Sequence, residues 1–102
     1  MEGIKNYNMK TLKRVLIELV EIKYGEFIPE QLEFGKMYYS REYSVANHLC
    51  LCGCGVKAPI PINDLEWSIS NENSKLTVKP SLQQLFECRS HYIITNGIAN
   101  FV

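Results

Sequence analysis

The residues best equipped for chemistry lie in two short stretches. The first reads His48-Leu49-Cys50-Leu51-Cys52-Gly53-Cys54-Gly55, and the second Cys88-Arg89-Ser90-His91. Thiolate and imidazole are the ligands zinc prefers, and four of them close a tetrahedral structural site. Gly53 and Gly55 let the backbone turn tightly, which brings N–H groups toward charged sulfur. The 33 residues between Cys54 and Cys88 fit a metal that staples distant loops together. Two ligand sets stay open. Cys50, Cys52, Cys54 and Cys88 form a complete all-thiolate site by themselves. Alternatively His91 joins three sulfurs and one clustered cysteine is spare. Crowding of three alternate cysteines around one ion favours the second set. His48 is expected to be structural or to support the ligands from behind. Without a metal, the cysteines would be small buried hydrophobes or a redox pair.

The second chemistry is acyl transfer. A serine hydroxyl activated by an imidazole base is a nucleophile, and Ser81, Ser90 and His91 are the available groups. Ser90 and His91 are neighbours on an expected strand, so their side chains point to opposite faces. Ser81 is the better nucleophile, because Pro80-Ser81 opens LQQLF, an apolar stretch at helical spacing. Ser81 would be its N-cap, with free N–H groups near an oxyanion. His91 serves as base only when it is not on the metal. The plainer alternative makes Ser81 a cap and His91 a ligand. Hydrolysis by zinc-bound water would need a base such as Asp64, Glu66 or Glu87. It ranks lower because thiolate-rich sites are usually structural. There is no H-E-x-x-H sequence, no deaminase arrangement and no Gly-rich phosphate loop.

Composition narrows the classes. The chain has 102 residues, 46% hydrophobic and 22% charged, which is one globular domain. Eleven basic residues balance eleven acidic ones. The balance is local: residues 1–40 carry six of each sign and residues 41–102 five of each. A nucleic-acid-binding zinc domain is therefore the weakest alternative, since phosphate tracking needs a basic surface. No apolar run approaches the ~18 residues of a membrane helix. The N-terminal MEGIKNYNMK has no signal-peptide core, so the expected compartment is the cytoplasm, where thiols stay reduced. A domain this short buries only about two thirds of its unfolded surface, so a metal would reinforce a thin core.

The elements that must position these groups are mostly strands. Residues 1–11 are expected to be a flexible N-terminus, and residues 12–102 a single zinc-binding domain. LKRVLIELVEIKY, residues 12–24, fits either a helix or a doubly buried strand, with strand favoured. Glu30–Leu32 fits one helical turn. KMYYS at 36–40 reads as a strand, as do 56–60, 67–70, 75–79 and 90–95. Asn96-Gly97 is a two-residue hairpin turn returning through 98–102. The expected fold is a compact, mainly β domain (small α+β) of short antiparallel strands with one or two short helices. Trp67 is the expected centre of the core. Most of the other aromatics are expected in the core too, while some of Tyr38, Tyr39 and Tyr43 could form a contact patch for a protein partner.

Taken in order, IPEQLEFGKMYYS, NHLCLCGCG, a Pro-containing strand, Trp67, LTVKPSL and CRSHYIITNGIANF resemble a family of small bacterial domains of unknown function. Its signature is CxCGCG, a single Trp, a Pro-Ser element and CxSHY. The resemblance covers roughly residues 14–102. The chain departs from it at Thr77, Leu82 and Gln83. The resemblance implies a metal-binding domain encoded beside ubiquitin-like conjugation genes in antiphage operons. There it would be a peptidase that trims the ubiquitin-like protein to expose its C-terminal tail. In that case Ser81 or Ser90 with His91 would carry the chemistry, and the partners would be the ubiquitin-like protein or its conjugation enzymes. The alternative is a non-catalytic zinc module for protein–protein interaction.

Overall fold

The computed structural model of the chain describes residues 14–63, 67–72, 75–83 and 90–102. The expected flexible segment 1–11, the acidic residues Asp64, Glu66 and Glu87, and Cys88 lie outside the described residues. Among the described residues, nine strands form two sheets. In chain order they are β1 Arg14–Leu16, β2 Glu18–Glu21, β3 Lys36–Ser40, β4 Val45–Asn47, β5 Ile60–Pro61, β6 Ser68–Glu72, β7 Lys75–Gln83, β8 His91–Thr95 and β9 Ile98–Phe101. One sheet has the order β1-β9-β8-β7-β6, and the other β2-β3-β4-β5. The mainly β reading holds. There is no helix among the described residues, so none of them could span a membrane as a helix.

Over its described residues the ambiguous segment resolves to two strands within 14–21, for a reason the pattern hid. The segment serves both sheets. β1 pairs antiparallel with β9, and two residues later β2 pairs parallel with β3. Ile17 is the crossing point: it is buried, and its N–H donates to the Gly97 carbonyl at 3.0 Å. Glu18 N–H then donates to the Gly35 carbonyl at 3.0 Å. A stretch facing two sheets needs apolar residues on more than one side, which imitates a helical stripe.

β8 and β9 follow plain alternation. Tyr92, Ile94, Ala99 and Phe101 are buried, while Ile93 and Thr95 face outward. Asn96 and Gly97 both take positive φ, 52° and 79°, which matches a turn whose twist suits a hairpin. Thr95 pairs with Ile98 across it. The core joins Met37, Ala46, Cys50, Leu51 and Ile60 to Leu76, Val78, Leu82, Tyr92 and Ile94. Its largest fully buried side chain is Tyr92. Trp67 is only partly buried and packs against the core from its margin. It precedes edge strand β6, and an edge cannot enclose so large a ring.

The expected helix after Pro80 is corrected over residues 81–83, while residues 84–86 lie outside the described residues. β7 runs unbroken through Ser81 and Leu82 to Gln83. Leu82 is buried and pairs with Tyr92, and Gln83 pairs with His91. Burial of Leu82 against the β8 face outweighs the weak helical spacing of LQQLF. Pro80 still leaves its mark. β7 lies between β6 and β8, and a central strand tolerates Pro only at an irregularity. Val78 pairs with Ile94 and Leu82 with Tyr92. Lys79, Pro80 and Ser81 therefore oppose Ile93 alone, a bulge of two extra residues.

Candidate metal centre and active site

The cysteine cluster occupies a closed loop. Ala58 N–H donates to the His48 carbonyl at 2.7 Å, Leu49 bridges Lys57, and Cys50 N–H donates to the Val56 carbonyl at 2.8 Å. Inside that ring the chain reverses at Gly53 and Gly55, with φ of 92° and 86°. These are left-handed values that an L side chain takes only with strain. Gly53 N–H closes the turn on the Cys50 carbonyl at 3.1 Å.

The two reversals put all three sulfurs together. The Sγ atoms of Cys50, Cys52 and Cys54 lie within 4.8 Å of one another, and Cys50 and Cys52 are 3.5 Å apart. Sulfurs on a tetrahedral zinc at about 2.3 Å stand roughly 3.8 Å from each other. The donor set and its spacing thus fit one ion, and the expected crowding does not arise. Cys50 is buried, Cys52 half-buried and Cys54 exposed. Burial raises the Cys52 thiol pKa. Polar interactions with the Ser90 hydroxyl, Cys50 and Cys54 outweigh that and lower it overall. A lowered thiol pKa favours the thiolate that metals bind.

Ser90 belongs to this side of the molecule. It is buried, and its Oγ has no hydrogen bond of ordinary geometry, although it lies close enough to Cys52 to influence that thiol. The next residue, His91, is only partly buried and begins β8, while Tyr92 is again buried. Ser90 and His91 are therefore not brought together, as alternation predicts. Ser81 stands at the end of the β7 bulge, two residues before the strand partner of His91. Sequence reasoning missed this bulge. Its signal was a Pro inside a segment that alternates on both sides of it.

His48 is a core residue. It is fully buried, and its Nε2 lies 2.7 Å from the Tyr92 hydroxyl. Burial pushes its pKa down to about 4, partly opposed by the Ala58 backbone. The ring is neutral at pH 7. Unfolded, it would take a proton near pH 6.5. Between these values the unfolded chain binds more protons, so stability falls as pH drops from about 6.5 toward 4. The full loss is about 3 kcal/mol. Urea unfolding from pH 7 to 4.5 should show wild type losing stability more steeply than His48→Gln. Parallel profiles would refute this role.

Residues 24–102 match the model of a family described as "Bacterial ubiquitination-like system serine protease (BubE)". No curated protein matches the chain, and no solved structure matches it.

Proposed function

Because the chain belongs to this family of bacterial ubiquitination-like system serine proteases, we propose that it is a serine peptidase. It processes the C-terminal end of the system's ubiquitin-like protein, in the cytoplasm, as part of antiphage defence. Ser81 is the nucleophile and His91 its base. Ser90 is the alternative nucleophile. Zinc is the structural metal, held by Cys50, Cys52, Cys54 and Cys88.

The observation that carries the reading is the bulge at Lys79–Pro80–Ser81, which opposes Ile93 and ends two residues before the strand partner of His91. Bulges re-aim side chains and recur next to active sites. Ser90 is the poorer nucleophile, since it is buried beside Cys52. A group next to the sulfurs has little access to a peptide. The same alternation favours the four-cysteine set over the set with His91, because Ser90 faces the cluster and His91 does not share its face. A ligated imidazole could not accept a proton, so the fourth sulfur matters to the chemistry.

In the reaction, Ser81 Oγ attacks the carbonyl carbon of the scissile bond as His91 takes the hydroxyl proton. The C–N bond breaks, and His91 returns that proton to the leaving amine. Water, deprotonated by His91, then cleaves the ester and restores Ser81. Zinc, held by Cys50, Cys52, Cys54 and Cys88, would supply rigidity to the cysteine loop.

The test is incubation with the ubiquitin-like precursor, read by mass spectrometry. A product shortened at the C-terminus is expected, and an intact precursor would refute the reading. One observation favours the non-catalytic alternative, a zinc module for protein contact. Phe27 and Tyr43 stack at 5.5 Å with rings 13° apart, both solvent-exposed. An exposed aromatic pair of this kind suits contact with a protein partner and needs no reacting group.

A further inference from the structure

We propose that the Ser90 hydroxyl donates to the Cys52 sulfur in the metal-loaded cluster, and that it sets how tightly the ion is held. This rests on the zinc reading and specifies what supports the ligands. Ser90 stands just before β8 and alternates with it: Ser90 and Tyr92 are buried, while His91 between them is only partly so. The face they share meets the cysteine loop twice. The Tyr92 hydroxyl lies 2.7 Å from Nε2 of His48, two residues before Cys50. Ser90 lies against Cys52. Among the described residues, Ser90 Oγ has no hydrogen bond of ordinary geometry, and a buried hydroxyl without a partner is destabilising. Its proton turns about the C–O bond, so a charged sulfur in contact with it is an acceptor it can meet.

Metal binding creates that acceptor and removes its rivals. The polar groups that favour the Cys52 thiolate are the Ser90 hydroxyl, the thiols of Cys50 and Cys54, and the Cys54 backbone N–H. To ligate a metal, Cys50 and Cys54 give up their own protons. Each then turns from a donor into a like charge. The Ser90 O–H and the Cys54 N–H keep their protons. Two further amides of the loop are committed elsewhere, Cys50 N–H to the Val56 carbonyl and Gly53 N–H to the Cys50 carbonyl. The three sulfurs lie within 4.8 Å of one another, and charge confined in a partly buried space needs hydrogen bonds. Cys54 is exposed and can take them from water, whereas Cys52 is half-buried. Ser90 serves Cys52 from inside the fold. Hydrogen bonds of this outer kind orient metal ligands and tune their affinity.

The test compares wild type, Ser90→Ala and Ser90→Thr, each loaded with zinc and challenged with graded EDTA. Ser90→Ala should hold zinc about 10- to 100-fold less tightly. Ser90→Thr keeps a hydroxyl and should stay within a few-fold of wild type. A second readout is the thiolate-to-metal absorption of the cobalt(II)-loaded proteins. A hydrogen bond lowers the energy of the sulfur lone pairs, so the band should move to longer wavelength in Ser90→Ala and stay in place in Ser90→Thr. Should the threonine not fit, the band of Ser90→Ala decides alone. If Ser90→Ala matches wild type in affinity and band position, the hydrogen bond is wrong and the zinc reading survives. If Ser90→Ala loses affinity while its band stays in place, packing is the cause and the proposal is overturned. If wild type takes up neither zinc nor cobalt, the zinc reading fails and this role of Ser90 fails with it.

Discussion

Cys54→Ser should destabilise the domain about as much as Cys50→Ser, although Cys54 is exposed and Cys50 is fully buried. Packing alone predicts the opposite. An exposed substitution costs within about 0.5 kcal/mol, whereas a buried one costs more. A lost ligand removes metal in both cases. Structural zinc contributes apparent binding energies of about 10–16 kcal/mol in small zinc peptides at pH 7. A loss of only about 3 kcal/mol would lower Tm by roughly 12–24 °C in a domain of this size. The measurement is thermal melting together with metal content. Wild type should carry about one zinc per chain and, after chelation, melt like either variant. Cys54→Ser melting with wild type, or purified protein without zinc, would remove the staple.

Ser81→Ala and His91→Ala should each slow trimming of the ubiquitin-like precursor by about 10³-fold or more. The double variant should be no slower than either single one, because nucleophile and base act as a unit. His91→Ala should also keep its zinc, which separates a base from a ligand: loss of metal in that variant would return His91 to the cluster. Ser90→Ala should cleave within a few-fold of wild type, since that hydroxyl is buried beside Cys52. A dead Ser90→Ala with an active Ser81→Ala would exchange the two serines. If all three variants cleave like wild type, the serine mechanism is wrong.

How much of this was legible depended on whether a residue's partners were local. The β8–β9 hairpin could be read directly, because Asn96-Gly97 and the alternation around it act over a few residues. The cysteine cluster was legible as a donor set. Its geometry was not, because the expected crowding assumed a chain without the left-handed turns at Gly53 and Gly55. The spacing of LQQLF suits a helix, yet its first two residues, Leu82 and Gln83, belong to β7. The deciding contact, Leu82 against Tyr92, joins residues ten apart across an irregular ladder. Tyr92 was passed over for Trp67 because size suggests centrality, while depth is set by sheet order. His48 showed no local sign of its partner, which lies 44 residues away.

The crossing at Ile17 has a consequence for how the molecule comes apart. Among the described residues β1 edges one sheet and β2 edges the other, and a single buried residue separates them. Neither sheet can lose its outer strand without pulling on its neighbour. Ile17 also holds the β8–β9 turn through the Gly97 carbonyl, while Gly97 N–H donates to the Leu76 carbonyl at 2.7 Å. A local opening at this corner therefore releases an edge of both layers together. The two sheets are two layers in space but one unit in cooperativity, and they should melt in a single transition with the same midpoint for probes in either layer.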